Sequence, residues 1–169
     1  MLIKRLLTAV ILIPAVVITI LTLDASEFVI AMMSVLFISS WEYSGLIKIK
    51  HWVTKTLYVS TLATAAYFLN QTSDLLMPIL LLTVAWWFIS SFWIISYPRN
   101  TWYWNNYLVT KLVNGFFFFI PLLVAMSALH QIDSTLVLLL LALTWAADSG
   151  AYFVGRAIGK NKLIPNVSP

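Results

Sequence analysis

The charged side chains of this chain are sorted along the sequence by the long apolar runs that separate them. When the sequence is divided at those runs, basic residues occur only in every second connecting segment. The basic segments hold Lys4 and Arg5; Lys48, Lys50 and Lys55; Arg99 and Lys111; and Arg156, Lys160 and Lys162. The segments between them hold Asp24 and Glu27, then Asp74, then Asp133. Because cytoplasmic loops of membrane proteins are enriched in Lys and Arg, this order predicts a polytopic membrane protein with both termini in the cytoplasm.

The composition agrees with a membrane protein and excludes several other classes. The chain is 62% hydrophobic and only 9% charged, with a mean hydropathy of +0.94, whereas soluble domains average about 45–50% apolar and about 25% charged residues. The net charge of +4 is spread over separate segments and forms no basic face, so we expect no binding to nucleic acid. The chain has no Cys, which excludes disulfides and thiolate metal sites.

The lengths of the apolar runs predict an all-α fold with about six transmembrane helices in a single membrane domain, 1–169. A bilayer core about 30 Å thick requires about 20 helical residues, and only helices or closed barrels satisfy their backbone groups in lipid. The predicted spans are 6–23, 28–47, 56–73, 75–97, 112–132 and 134–155. The first span resembles a signal peptide, but no A-x-A cleavage site follows it, so we interpret it as a retained helix.

Two acidic residues, Glu42 and Asp148, lie inside the predicted spans. Glu42 precedes Lys48 by about 9 Å along a helix, and Asp148 precedes Arg156 by about 12 Å, at ~1.5 Å per residue. Both are therefore predicted to lie in the cytoplasmic half of the membrane, where an ionisable residue is a candidate functional residue. For Glu42, structural anchoring by an interfacial hydrogen bond or a lysine partner is the favoured interpretation, and a role in a site is the alternative.

The segment that follows Asp148 carries two patterns at helical spacing. Asp148, Tyr152, Arg156 and Lys160 recur every four residues and form a polar stripe, while Ala147, Ala151, Gly155 and Gly159 form a parallel ridge of small residues. Carboxylate oxygens can hold a divalent cation, and Arg and Lys can hold phosphate oxygens. The stripe therefore predicts a site for a phosphorylated ligand. Helix packing with ordinary positive flanks remains the alternative, and the ridge is compatible with internal packing or with a homodimer.

The same segment resembles a known family. WAADSGAYFVGRAIGKNKLIPNVSP, residues 145–169, resembles the pattern W-x-x-D-x-x-A-Y-x-x-G-R-x-x-G-K-x-x-L-x-x-x-x-S-P of bacterial phosphatidate cytidylyltransferases, also called CDP-diacylglycerol synthases. Lys4-Arg5 before an apolar run with Pro14, and Trp41-Glu42-Tyr43 at the end of the second span, also resemble that family. Family members continue beyond Ser-Pro into a signature rich in acidic residues, so the chain is expected to be an amino-terminal portion that is inactive alone.

The resemblance implies a reaction and a set of site residues. The family joins CTP and phosphatidic acid into CDP-diacylglycerol and pyrophosphate, in phospholipid biosynthesis at the bacterial inner membrane. By the resemblance, Asp148 is a catalytic residue and a ligand of Mg²⁺, with the main metal-binding acids expected beyond Pro169. Tyr152, Arg156, Lys160 and Ser168 are expected to bind substrate, and Glu42 is a secondary candidate.

Two other classes of function fit the residues without the resemblance. A transporter or channel module would use Glu42 and Asp148 as ion or proton ligands, and inverted repeats with broken helices would support it. A non-catalytic membrane scaffold would need neither acid. CTP incorporation by the full-length protein would separate the enzyme from both.

Overall fold

A computed structural model of the chain describes residues 2–97 and 106–159, and the side chains of all of these except residues 2–8. The described residues form α-helices and one short 3-10 turn at Ser73–Leu75, with no strand. The helices are α1 (Leu2–Thr22), α2 (Ala25–Leu46), α3 (Trp52–Asn70), α4 (Leu76–Ile95), α5 (Leu108–Ile132) and α6 (Ser134–Ile158). The all-α prediction is therefore confirmed for the described part of the chain.

Four helical segments in the described ranges are long and apolar enough to cross a membrane: Ala25–Leu46, Ser73–Ile95, Leu108–Ile132 and Ser134–Ile158. Their mean hydropathies are 1.3, 2.0, 2.1 and 1.7, respectively. In α1, whose side chains are described from Ala9 onward, the segment Ala9–Thr22 is also apolar. These helices indicate a multi-pass membrane protein. The total of six spans remains a prediction.

The predicted spans end at charges, whereas the observed helices continue past them. The third helix begins at Trp52 and includes Lys55, instead of spanning 56–73, and α5 begins at Leu108, before Lys111. The last helix continues to Ile158, beyond Arg156. The reason is that backbone hydrogen bonding continues to the head-group level, where long basic side chains extend toward water while the helix remains intact.

The central helix of the bundle is α5, which packs against α2, α3, α4 and α6. Its buried residues Ile120, Leu123 and Val124 join those of α2 and α3 in one hydrophobic cluster. Packing of this kind, together with interhelical hydrogen bonds, is the main source of helix association in lipid. One such bond joins α4 to α5, where the Trp86 indole N–H donates to Asn114 Oδ1 over 2.9 Å.

The first helix is attached at the opposite end of α5 from Lys111. Ile20 of α1, Phe28 of α2, Met126 of α5 and Val137 of α6 form a second buried cluster. Beside it, the buried His130 ring stacks on Phe28 with centroids 4.0 Å apart, and its Nε2 donates to the carbonyl oxygen of Ile20 over 3.0 Å. The Ile20 carbonyl lies in the last turn of α1, where carbonyl groups have no hydrogen-bond donor within their own helix.

The two ends of the bundle differ in charge. At the end that we call the lysine end, α2 terminates and α3 and α5 begin, and Lys48, Lys50, Lys55 and Lys111 lie there. Lys48 has φ 66° and closes α2 with bonds from its own N–H to Gly45 O and from Ile49 N–H to Ser44 O. At the end that we call the acidic end, Asp24 and Asp133 cap α2 and α6.

Candidate functional site

The stripe on α6 forms as the spacing predicted, as far as the structure describes it. Asp133 caps the helix by accepting from the Thr135 backbone N–H over 2.8 Å, and the helix then continues unbroken to Ile158. Asp148, Tyr152 and Arg156 are therefore three successive positions, one turn apart, on one face of the helix. Arg156 Nη1 donates to the Tyr152 hydroxyl over 3.2 Å. Lys160 and Ser168 lie outside the described residues.

This face of α6 is bare. Every residue from 142 to 159 is exposed, and neither Gly150 nor Gly155 has an atom within 4 Å of where a Cβ would lie. Among the described helices none packs on the small-residue ridge. Asp148 makes no hydrogen bond or ion pair with any described residue, which leaves its carboxylate oxygens available to a ligand.

The stripe offers three kinds of contact in a row about 12 Å long, at ~1.5 Å per residue. Asp148 supplies acceptor oxygens, Tyr152 a hydroxyl, and Arg156 a guanidinium whose fork of donors matches phosphate oxygens. Tyr152 accepts one of the Arg156 N–H groups, which restrains the guanidinium beside it. The guanidinium at the Arg156 end of this row can therefore bind a polyanionic ligand.

A divalent metal finds one suitable ligand here. Within residues 2–97 and 106–159 no group of three or more His, Cys, Asp or Glu side chains is placed to hold a metal ion. Mg²⁺, however, is commonly held by one or two carboxylates together with substrate phosphates and water. Asp148 fits as one such carboxylate, and the described residues do not complete a cage around it.

Glu42 does not join the stripe. No hydrogen bond or ion pair connects it to Asp148 or Arg156 within the described structure. Its exposed carboxylate instead lines a shallow cavity of about 370 Å³ on α2, together with Phe37, Ile38 and Trp41.

Two tyrosines that the sequence analysis did not assign to any site contact the first turns of α5. The Tyr43 hydroxyl donates to the Lys111 carbonyl over 2.7 Å, and the Tyr58 hydroxyl donates to the Leu112 carbonyl over 3.2 Å. A Cβ at Gly115 would overlap the Tyr58 hydroxyl. The isolated Gly115 within an apolar helix was the one signal of such a close approach in the sequence.

A family match covers almost the whole chain. Residues 3–169 match the cytidylyltransferase family. The chain belongs to the cytidylyltransferase family. This membership agrees with the order of the motifs along the chain, with the polar stripe of α6 near its carboxyl end.

Several curated relatives of this cytidylyltransferase chain carry a more specific name. A phosphatidate cytidylyltransferase from Pseudomonas aeruginosa is 30% identical over 171 residues, covering 100% of this chain and 63% of the relative. One from Haemophilus influenzae is 31% identical over 189 residues, covering 100% of this chain and 65% of the relative. One from Bacillus subtilis is 46% identical over 41 residues, which are 24% of this chain and 15% of the relative.

The chain therefore spans a little under two thirds of the length of the first two relatives. No solved structure matches this cytidylyltransferase chain.

Proposed function

We propose that these 169 residues form part of a phosphatidate cytidylyltransferase, which joins CTP and phosphatidic acid into CDP-diacylglycerol and pyrophosphate. The observation that carries the proposal is the similarity over the whole chain to two relatives of that name, at 30% and 31% identity. The exposed stripe of α6 supports it independently, because both substrates are polyanions and the stripe ends in a guanidinium.

The roles of the stripe residues follow from their chemistry. Arg156 contacts phosphate oxygens of a substrate, since a planar guanidinium can donate two parallel hydrogen bonds to them. Tyr152 holds the guanidinium through the 3.2 Å hydrogen bond and so acts as a positioning residue. We propose that Lys160 and Ser168 extend the phosphate contacts beyond the described residues.

We further propose Asp148 as a catalytic residue of the stripe and as one ligand of Mg²⁺. The ion would supply neutralisation of the triphosphate when it is bound. Asp148 itself accepts hydrogen bonds or orients a cation next to the phosphates that Arg156 holds. Its position about 12 Å before Arg156 lets one substrate reach both side chains, at ~1.5 Å of helix rise per residue.

The proposed setting is the inner membrane of a bacterium. The lysine end would face the cytoplasm, where CTP is found, and both termini would lie on that side of six spans. The lysine end would then also meet phosphatidic acid at the level of its head group. The bare ridge beside the stripe leaves room for a homodimer contact.

The proposal is tested with the full-length protein, radiolabelled CTP, phosphatidic acid and Mg²⁺. We expect a CDP-lipid product, and a loss of about 10–100-fold in rate for Asp148→Asn and for Arg156→Ala, because bonds to charged groups contribute about 1.5–3 kcal/mol. Arg156→Lys should retain an intermediate rate, since it keeps the charge and loses the fork.

The same helix provides a matched control. Asp133→Asn makes the same chemical change at the other end of α6, and Asn is also a good N-cap residue, so this variant should keep the wild-type rate. Folded full-length protein that makes no CDP-lipid would contradict the proposal. Equal rates for Asp148→Asn and Asp133→Asn would contradict the role of Asp148.

A further inference from the structure

A groove follows the outer seam between α2 and α3, on the side of these helices away from α5. It consists of the cavity of about 370 Å³ beside Glu42 and a second cavity of about 400 Å³. Both cavities are lined by Phe37 and Ile38, so they adjoin. The second is completed by Ile30, Met33, Ser34 and Ala63. We call this feature the seam groove.

The walls of the seam groove are apolar and exposed. Ile30 and Ile38 are 67% and 63% exposed, and Phe37 is 50% exposed. The Ser34 hydroxyl donates to the Ile30 carbonyl over 3.0 Å, so it presents no free donor to the groove. In a bilayer, such a wall is suited to a hydrocarbon chain that lies along α2.

The seam groove has an anion in its lining, Glu42, near the lysine end, and a cation, Lys55, beside another lining residue, Trp41. Lys55 Nζ lies 5.7 Å from the centroid of the Trp41 ring, and a Cβ at Gly45 would lie 3.6 Å from the same Nζ. Glu42, the residue next to Trp41, lines the groove. Lys55 and Glu42 form no ion pair with each other or with another described residue.

This end of the groove lies at the level where lipid head groups are found. Trp41 and Lys55 are residue types that favour the membrane interface, with the lysine ammonium in the polar region and its stem along apolar surface. The Lys55 side chain is half-buried against Trp41 and Gly45, which holds its ammonium close to the groove.

We propose that the seam groove binds a phospholipid whose head group carries both a phosphate and a primary ammonium. One acyl chain lies along Phe37 and Ile38, the phosphate meets Lys55, and the ammonium donates hydrogen bonds to Glu42. This assignment is independent of the catalytic role proposed for the stripe on α6.

The two charges select among head groups. A purely anionic head group would leave the Glu42 carboxylate next to negative charge without a partner. A quaternary ammonium has no N–H to donate to that carboxylate. A primary ammonium satisfies both conditions, because it is a cation with three donors, and the phosphate beside it matches Lys55.

The test uses native mass spectrometry of the full-length protein taken from vesicles that hold equal amounts of phosphatidylethanolamine, phosphatidylcholine and phosphatidylglycerol. We expect phosphatidylethanolamine to be retained about five-fold more than phosphatidylcholine, as about 1 kcal/mol for one head-group contact implies. Glu42→Gln should abolish this preference. Lys55→Ala should weaken the retention of all three lipids, and Lys55→Arg should restore it.

Two matched pairs of variants separate the groove from general lipid attraction. Ser34→Trp fills the groove at an exposed position and should abolish retention, whereas Leu81→Trp, at a 63% exposed site on α4 outside the groove, should not. Lys50→Ala removes a lysine at the same end outside the groove and should keep the preference. Equal retention of phosphatidylethanolamine and phosphatidylcholine, preference for phosphatidylglycerol, or unchanged retention in Ser34→Trp would each overturn the proposal.

Discussion

At the scale of single residues, Gly115 decides how closely α3 approaches α5. The Tyr58 hydroxyl reaches the Leu112 carbonyl across the space that a Cβ at Gly115 would occupy, and Tyr43 lies 3.0 Å from the same point. These two tyrosines bring the ends of α2 and α3 together at the start of α5. The lysine end of the bundle depends on this contact because three helices meet there.

Gly115→Ala is therefore expected to destabilise the protein. Overpacking of a buried contact costs about 1–3 kcal/mol, so the thermal unfolding temperature in detergent should fall. Adding Tyr58→Phe removes the nearest atom and should recover part of the loss. Gly150→Ala, where a Cβ would meet open space, should cause no loss. If both glycine variants unfold at the same temperature, the close approach is not a source of stability.

At the scale of helices, the N-caps at the acidic end follow local rules. Asp24 accepts from the N–H groups of Ser26 and Glu27, each at 2.8 Å, and Glu27 accepts from the Asp24 N–H at 3.1 Å, which completes a capping box. The backbone N–H of Glu27 is the main cause that lowers the pKa of Asp24, and the Thr135 hydroxyl is the main cause for Asp133.

These lowered pKa values predict an acid-sensitive stability. The ordinary pKa of an Asp carboxyl, which applies in the unfolded state, is 3.8. A carboxyl whose pKa is lower in the folded state stabilises the fold at pH values above the unfolded pKa. This stabilisation is lost as the pH falls through the folded pKa. The unfolding temperature should thus decrease on acidification below about pH 4. Asp24→Asn keeps a capping side chain but does not titrate, so it should flatten this decrease.

The double variant Asp24→Asn with Asp133→Asn should flatten the decrease further, because the two caps lie on different helices and act independently. Unfolding temperatures measured for the wild type and both variants between about pH 6 and pH 3 provide the check. An identical slope in all three proteins would show that the caps do not link protonation to stability.

At the scale of the whole molecule, the structure separates the charges as the sequence pattern requires. The α2–α3 connection, with Lys50, and the α3–α4 turn, with Asp74, lie at opposite ends of α3. Its 19 residues span about 28 Å at ~1.5 Å per residue. A membrane that contains the bundle would place these two positions on different sides.

Labelling of single cysteines tests this orientation directly, because the chain has no Cys of its own. Lys50→Cys should react with an impermeant maleimide only from the cytoplasmic side, and Asp74→Cys only from the opposite side. Both should react after detergent opens the membrane, which controls for accessibility. Reaction of both positions from one side of intact membranes would refute the predicted topology.

How much the sequence predicts depends on how local the cause is. Apolar runs and the spacing of Asp148, Tyr152 and Arg156 are local, and they appear in the structure as expected. The central place of α5, the stacking of His130 on Phe28 and the contact at Gly115 depend on partners far along the chain, which local patterns do not identify. The predicted span 56–73 and the helix α3 differ in their limits because Lys55 was taken as the boundary of the span, although a helix can carry a lysine in its first turn.

The hydrogen bond between His130 and Ile20 has a consequence for biosynthesis. Its two residues are 110 positions apart, so the final turn of α1 lacks this partner until His130 has been made. At ribosomal rates of about 5–20 residues per second, α1 remains without this partner for roughly 5–20 s. The last turn of α1 is thus fixed to α5 only after α2, α3 and α4 have been made.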